Sequence, residues 1–177
     1  MSINRVILFK INEKYQQNQC FWKLLKTINN NKHFMNIIIS NDHAGVELKN
    51  AVKIFLKEKG YGIKDIGENS GESVDYPDII HPLAKEISKS KEKRGIIMCG
   101  TGNGVSMVAN KYQGARAGLC WNKEIAELIR KHNNANILSL PARFISIKEA
   151  LEIVRVFLET DFEEGGRHER RVGKIDK

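Results

Sequence analysis

From Met35 onward, short apolar runs alternate with longer segments in which apolar residues recur at helical spacing. The short runs predict five strands, over residues 36–40, 63–66, 95–98, 116–119 and 136–140. The longer segments predict helices over residues 44–59, 77–88, 123–131 and 146–158, with a further helix after the third strand. Strands that alternate with helices form parallel sheets covered on both faces. We therefore predict an α/β three-layer sandwich around a five-stranded parallel sheet, similar to flavodoxin and Rossmann folds.

A cysteine and three glycines interrupt the apolar pattern after the third strand. Cys99 ends the strand, and Gly100, Gly102 and Gly104 follow within five residues. Glycine permits positive φ and carries no side chain, so we expect backbone N–H groups to converge there at a helix N-terminus. Such N–H groups bind anions and favour the thiolate form of a cysteine. The alternatives are a tight turn and a cysteine that serves as a small buried hydrophobe.

The same loop argues against two nucleotide-binding motifs. It lacks the Lys-Ser/Thr ending of a nucleoside-triphosphate loop, and it follows the third strand rather than the first, unlike a dinucleotide fingerprint.

Other polar residues cluster near the ends of predicted elements. They include Asn41-Asp42-His43, Asp75-Tyr76-Pro77, His132-Asn133 and the tail from Gly165 to Arg171. Ligands of parallel sheets bind at the carboxyl ends of the strands, and we expect all these residues at or near that edge. Each also has a structural alternative: a helix N-cap, a cation at a helix C-terminus, a ring packed beside a proline, or solvated arginines.

Composition narrows the possibilities further. The 177 residues are 41% hydrophobic and 28% charged, as in one globular domain with a sizeable core. Three well-separated cysteines predict neither a disulfide framework nor a metal cluster, and favour a reducing cytoplasm. No apolar run is long enough for a membrane span.

The first 34 residues differ from the rest. Of the net charge of +8, residues 1–34 carry +5, six basic residues against Glu13 alone. No aromatic-basic recognition pattern follows, so we predict neither nucleic-acid nor membrane binding. We divide the chain into an extension, residues 1–34, and a domain, residues 35–177. The extension is interpreted as sequence upstream of a true start at Met35, with a targeting peptide and an added helix near Cys20 to Ile28 as alternatives.

An ordered set of motifs between Met35 and about Val172 resembles the ribose-5-phosphate isomerase type B family and its galactose-6-phosphate isomerase relatives. The set comprises Asn41-Asp42-His43-Ala44-Gly45, Asp75-Tyr76-Pro77, Cys99 to Gly104, Ala109-Asn110-Lys111, Arg130-Lys131-His132-Asn133 with Asn136, and Gly165-Gly166-Arg167-His168 with Arg171. The resemblance implies interconversion of ribose 5-phosphate and ribulose 5-phosphate through a cis-enediolate, without metal or organic cofactor.

The resemblance also assigns roles to residues. Cys99 matches the base, His132 the acid/base that opens the sugar ring, and Thr101 a hydrogen-bonding group for the enediolate, together with the loop residues Gly100, Gly102, Asn103 and Gly104. The remaining matches are sugar-binding Asp42, His43, Tyr76 and Asn133, and phosphate-binding Arg143, Arg167 and Arg171. Relatives of this kind are homodimers or homotetramers with shared active sites, and the tail arginines are expected to reach a neighbouring subunit.

Three other functions stay open. Galactose-6-phosphate isomerase divides its catalytic residues between two unlike chains, whereas this chain holds them all; allose 6-phosphate is a candidate side substrate. A non-catalytic module that binds a phosphosugar or nucleotide is the alternative outside the enzymes. Such a module would not need both Cys99 and His132.

Overall fold

The computed structural model describes residues 35–176, and the interpretations of residues 1–34 lie outside this range. It contains five strands: β1 Asn36–Asn41, β2 Gly62–Asp65, β3 Arg94–Cys99, β4 Ala117–Leu119 and β5 Ile137–Pro141. The helices are α1 Val46–Glu58, α2 Tyr76–Ile87, α3 Asn103–Ala109, α4 Lys123–Asn133, α5 Ile147–Glu159 and α6 Arg167–Val172, with a 3-10 turn at His43–Gly45.

All pairings in the sheet are parallel, and the strand order is β2-β1-β3-β5-β4. The predicted five-stranded α/β sandwich is therefore confirmed. The chain moves from β1 to β2 on one side and returns to place β3 on the other side of β1. Neighbouring strands from which the chain proceeds in opposite directions form a crevice at their carboxyl ends, where ligands bind in open α/β sheets.

Alternate strand residues build two cores, one on each face. Ile37, Ile39, Ile96 and Met98 pack against α1, α4 and α5. On the other face, residues such as Ile38 and Ile97 pack against α2 and α3. Both sets are fully or almost fully buried, as expected for strands covered on both faces.

Local signals fix where several helices start. Asn122 caps α4 by accepting from the Ile125 N–H group, and Ser146 forms a capping box with Glu149 at the start of α5. The helix predicted from residue 44 instead begins with the 3-10 turn, because the Asp42 carboxylate accepts from the Ala44 N–H group and tightens the first residues.

One element was missed by the sequence pattern. The segment from Gly165 to Arg171, which the sequence pattern indicated only as a tail, contains most of α6. This helix is only six residues long and has no buried residue. A helix this short lacks the repeated apolar stripe that reveals a helix in the sequence. No helix within residues 35–176 has the length and apolar character needed to cross a membrane.

Candidate active site

The crevice between the carboxyl ends of β1 and β3 brings together two of the predicted motifs. Asn41 pairs with Met98 in the sheet, and the Asp42 N–H group donates to the Met98 carbonyl at 3.1 Å. Asp42, which follows β1, and Cys99, which ends β3, therefore lie beside each other at the edge where the topology predicts a ligand.

Cys99 lies at the base of the glycine loop. Its side chain is turned toward the face that carries α2 and α3, and the residue is 6% exposed. The Gly102 N–H group donates to Cys99 Sγ at 3.0 Å. This contact places a backbone dipole on the sulfur, as the sequence predicted for an N–H-lined loop.

Gly102 occupies a left-handed conformation, with φ of 74°, and caps α3. Two hydroxyl groups, Ser139 Oγ and Ser106 Oγ, each donate to its carbonyl at 2.7 Å. The Gly102 carbonyl, which lies in the peptide following the N–H group directed at Cys99, is thus held by two hydroxyl groups.

The three loop glycines use the two properties of glycine at different positions. Positive φ occurs at Gly102, but not at Gly100 or Gly104. These two allow close approach instead: a Cβ at Gly100 would lie 3.3 Å from Arg143 Cδ, and one at Gly104 would lie 2.8 Å from Tyr76 Cζ. Both predicted binding side chains therefore lie against the loop.

Asp42 and His43 line the β1 side of the crevice. The Asp42 carboxylate is largely buried and caps the 3-10 turn, and its predicted contact with the sugar stays a prediction. His43 Nδ1 is buried and has no hydrogen-bond partner within residues 35–176. An unpaired buried nitrogen is costly, which makes it a candidate for a ligand contact.

Thr101 and Asn103 are exposed on the outer side of the loop. Thr101 Oγ1 accepts from the Asn103 N–H group at 3.3 Å, and its hydroxyl proton is left for a further acceptor.

His132 and Asn133 do not lie at this edge, so the expectation that they do is wrong for a single chain. They form the C-terminal end of α4, which runs back to the amino end of β5. Asn133 lines a cleft with Arg116 and Ala117, which lie at the start of β4. A helix that connects parallel strands returns across the sheet, so its C-terminus lies at the amino edge.

A second cluster forms around His132. Its ring stacks on His168 of α6, with ring centroids 4.0 Å apart and planes 3° from parallel. Arg171 lines the same small cleft as His132 and Asn133. Arg167 precedes His168 on α6, so both predicted tail arginines lie near His132, whereas Arg143 lies near Cys99.

His168 is a residue that the sequence analysis assigned no role. Desolvation and then the nearby His132, Arg167 and Arg171 lower the pKa of His168. A stacked imidazole beside His132 is thereby kept neutral more readily than an isolated histidine. His168 is part of the Gly166-Arg167-His168 motif, but a histidine in an exposed tail does not belong to any periodic hydrophobic pattern that would mark it as a site residue.

His132, Glu163 and His168 also present ligand atoms within 4.8 Å of one another. Two histidines and a carboxylate form a ligand set that transition metals accept. Arg167 and Arg171 lie close to the same atoms, and their positive charges oppose a bound cation.

Ser139 was also missed. It is a fully buried hydroxyl in the otherwise apolar β5, and its bond to Gly102 connects the strand to the glycine loop. A serine within a run of apolar strand residues is a signal that sequence reading could have used, since buried hydroxyls need a partner.

The chain matches a known protein family over nearly all of the residues that the structure describes. The model of the ribose/galactose isomerase family matches residues 37–175. The chain belongs to the ribose/galactose isomerase family. Its glycine loop, α6 and the stacked pair of His132 and His168 all lie within the matched range.

Individual relatives agree with this membership. A probable ribose-5-phosphate isomerase B from Mycoplasma genitalium is 44% identical over 142 residues, which cover 79% of this chain and 93% of the relative. A ribose 5-phosphate isomerase from Thermotoga maritima has a similar structure, with a TM-score of 0.77, 50% identity, and coverage of 81% of this chain and 98% of that one. The structure of ribose-5-phosphate isomerase B from Mycoplasma genitalium with bound ribulose 5-phosphate has a TM-score of 0.77, 43% identity, and coverage of 80% and 94%.

Proposed function

We propose that this chain is an aldose-ketose isomerase that interconverts ribose 5-phosphate and ribulose 5-phosphate. Membership of the ribose/galactose isomerase family and the named relatives support the reaction class. The observation that carries the mechanism is the Gly102 N–H group directed at Cys99 Sγ, at 3.0 Å, in the crevice between β1 and β3.

The reaction moves a carbonyl group between C1 and C2. A base removes the proton from C2 of the open-chain aldose; the electrons of that bond form the C1–C2 double bond of a cis-enediolate, and the C1 carbonyl oxygen becomes an oxyanion. A proton then passes from O2 to O1, C2 becomes the carbonyl carbon, and the electrons of the double bond take the proton back from the base at C1. The site must therefore hold one proton and stabilise a developing oxyanion.

Cys99 is the proposed base. A thiolate at the base of the loop accepts the carbon-bound proton, and the Gly102 N–H group stabilises its negative charge. The loop from Gly100 to Gly104 and the Thr101 hydroxyl are proposed to donate to the enediolate oxygens. A thiol base requires a reduced cysteine, which suits the cytosol, and Cys99 and Cys120 are both free thiols.

His132 is proposed to open the furanose ring by exchanging protons with the ring oxygen and anomeric hydroxyl. Asp42, His43, Tyr76 and Asn133 are proposed to bind the sugar. The planar guanidinium groups of Arg143, Arg167 and Arg171 are proposed to bind the phosphate.

These roles need two copies of the chain. Cys99 is at the carboxyl end of β3, and His132 is at the opposite edge of the same sheet. A six-residue strand spans roughly 20 Å at about 3.3 Å per residue, which is too far for one sugar phosphate to contact both residues. We therefore propose a homodimer, or a homotetramer built from two such dimers, in which each site combines Cys99 of one copy with His132 of another.

Complementation between two inactive variants tests this arrangement. Cys99→Ala and His132→Asn should each lose activity by about 10²- to 10⁴-fold, the usual contribution of a general acid or base. After unfolding and refolding of an equal mixture, half of the dimers are mixed and hold one intact site of two. Activity should then return to about one quarter of the wild-type value.

Two results would contradict the proposal. Mixing that restores nothing, although mass spectrometry detects mixed dimers, would exclude the shared site. A Cys99→Ala variant that keeps wild-type turnover would exclude Cys99 as the base.

Substrate choice is tested with chelator-treated wild-type protein. Ketose formation should be rapid with ribose 5-phosphate and much slower with galactose 6-phosphate and allose 6-phosphate. If the folded oligomer binds all three sugars and turns over none, the chain is a binding module that has retained the family fold.

A further inference from the structure

The amino edge of the sheet contains a cleft of about 800 Å³, separate from the small cleft that His132, Asn133 and Arg171 line. It lies among the loops that precede β3, β4 and β5 and the segment that follows α5. None of the proposed catalytic or substrate-binding residues lines it. The volume is within the range of sites that bind small molecules.

Three arginines from different elements line this cleft: Arg94 at the start of β3, Arg116 before β4 and Arg130 on α4. Arg130 is 4% exposed, so its charge is held almost entirely within the protein. Lys89 and Lys91 add two exposed ammonium groups to the lining.

Each guanidinium is fixed on one side by neutral acceptors. Arg94 Nη1 donates to two backbone carbonyls at 3.1 and 3.2 Å, and Arg116 Nε donates to the Asn134 carbonyl at 3.0 Å. Arg130 donates through Nε and Nη1 to the carbonyls of Thr160 and Ala135, at 3.1 and 2.6 Å, and to the Asn134 side chain. These bonds orient the arginines and do not neutralise them.

The Nη2 sides of the guanidinium groups have no partner among the residues that the structure describes. Within residues 35–176, the Nη2 atoms of these arginines make no hydrogen bond, and no carboxylate lies within 4.0 Å of the three groups. Within residues 35–176, Arg94 keeps the parallel donors Nε and Nη2 unused, and Arg116 and Arg130 keep Nη2. Such donors are suited to the oxygens of a phosphate.

The charges also act on one another. Burial and then the neighbouring Arg94 lower the pKa of Arg130 to about 10, and burial and then Arg116 lower the pKa of Arg94. The exposed Asp161 carboxylate acts in the opposite direction and raises the pKa of both Arg130 and Arg94. A bound anion would remove this repulsion, so the cleft favours an anion more strongly than a solvated basic surface would.

We propose that this cleft binds the phosphate group of a phosphorylated small molecule, at a second site separate from the catalytic one. The arginines supply the charge-assisted hydrogen bonds, and the two lysines attract the anion into the cleft. A phosphate dianion fits three converging guanidinium groups better than a carboxylate, which offers one planar edge and a single charge.

The bound anion would also stabilise the C-terminal end of α4. Arg130 and Asn134 belong to this end of the helix, and their contacts with one another lie against the cleft. Ligand that binds the folded chain raises its thermal stability by mass action.

Calorimetric titration with pyrophosphate and inorganic phosphate, at constant ionic strength, tests the proposal. It uses the full chain with Arg143→Gln and Arg171→Gln, which remove two proposed catalytic phosphate ligands. Saturable binding should persist in this background. Adding Arg94→Gln should weaken it by at least about tenfold, the effect expected for one lost charge-assisted hydrogen bond.

Two further variants control the experiment. Lys89→Gln with Lys91→Gln alters exposed residues only, so it folds even if Arg94→Gln does not, and it should also weaken binding. Arg155→Gln removes one positive charge, as Arg94→Gln does, from an exposed arginine paired with Glu152 and Glu159, and it should leave the affinity unchanged.

Any of three results would overturn the assignment. These are the absence of saturable binding in the background chain, equal affinity in the Lys89/Lys91 variant and the control, and binding of acetate as tight as that of phosphate. The last result would show a general anion site without preference for phosphate.

Discussion

The glycine at position 102 should be irreplaceable, both for stability and for catalysis. An alanine there must adopt φ of 74°, which costs about 1–2 kcal/mol for a residue with a Cβ. The new Cβ would also lie 2.4 Å from Leu119 Cδ1 and 3.2 Å from the Leu140 carbonyl carbon. Overpacking of this kind costs about 1–3 kcal/mol, so Gly102→Ala should lower the free energy of unfolding by about 2–5 kcal/mol.

The same substitution should affect chemistry, because the loop can relieve the overlap only by moving. Movement of this peptide would displace the N–H group that donates to Cys99 Sγ. Loss of one oriented donor typically lowers kcat by about 10²–10³, and a partial displacement should cost at least about tenfold. Urea unfolding and initial rates with ribose 5-phosphate measure the two effects.

Gly71→Ala is the matched control. Gly71 also has positive φ, of 82°, but a Cβ there would meet no atom within 4 Å. This variant carries the backbone strain without the overlap, so it should cost about 1–2 kcal/mol and leave kcat unchanged. If both variants unfold at the same urea concentration, or if Gly102→Ala keeps wild-type kcat, the interpretation of the loop is wrong.

Two further predictions concern the serines that bond Gly102 and the carboxylate of Asp65 at the end of β2. Ser139→Ala should lower the free energy of unfolding in urea by about 1 kcal/mol, because the Gly102 carbonyl keeps its hydrogen bond from Ser106. The double variant with Ser106→Ala should lose more than the sum of the two single losses, since it leaves the carbonyl without either hydroxyl. Strict additivity would argue against a shared role of the two serines. Hydrogen bonds from Lys53, the Gly67 N–H group and Lys49 outweigh burial and lower the pKa of Asp65. Its folded-state pKa is therefore below the unfolded value of about 3.9, so its stabilising contribution is complete above that pH and is lost as the pH falls through the folded-state pKa. Urea unfolding between pH 6 and pH 2 should show this acid loss reduced in Asp65→Asn, and identical acid profiles would refute it.

The sequence determined the sheet and the position of the glycine loop. Strands such as Ile37–Ile39 are continuous apolar runs because both of their faces are buried, and such runs stand out against helices with one apolar stripe. The nearness of Asp42 and Cys99 could also be predicted, because parallel strands end at the same edge, Asp42 follows β1 and Cys99 ends β3.

Predicted boundaries moved by one or two residues, for example from 95–98 to Arg94–Cys99 in β3. Hydrogen bonds to the neighbouring strands set such ends, and these are long-range contacts. Lys49 is another residue whose environment depends on long-range contacts. The sequence pattern indicates a solvated helix residue, yet its side chain is buried and donates to Asp65, to the Glu68 carbonyl and to Asn69.

Only the tertiary structure decided how the chemical groups are divided in space. Sequence motifs reveal which residues can react, but α4 carries His132 across the sheet to the edge opposite Cys99. The approach of Arg94, Arg116 and Arg130 likewise depends on three separate elements converging at the amino edge. Local propensity and periodicity act over a few residues, whereas these arrangements follow from packing between segments distant in the chain. The sequence by itself therefore determined the family and the position of the glycine loop, and the fold determined that Cys99 and His132 lie at opposite edges of one sheet.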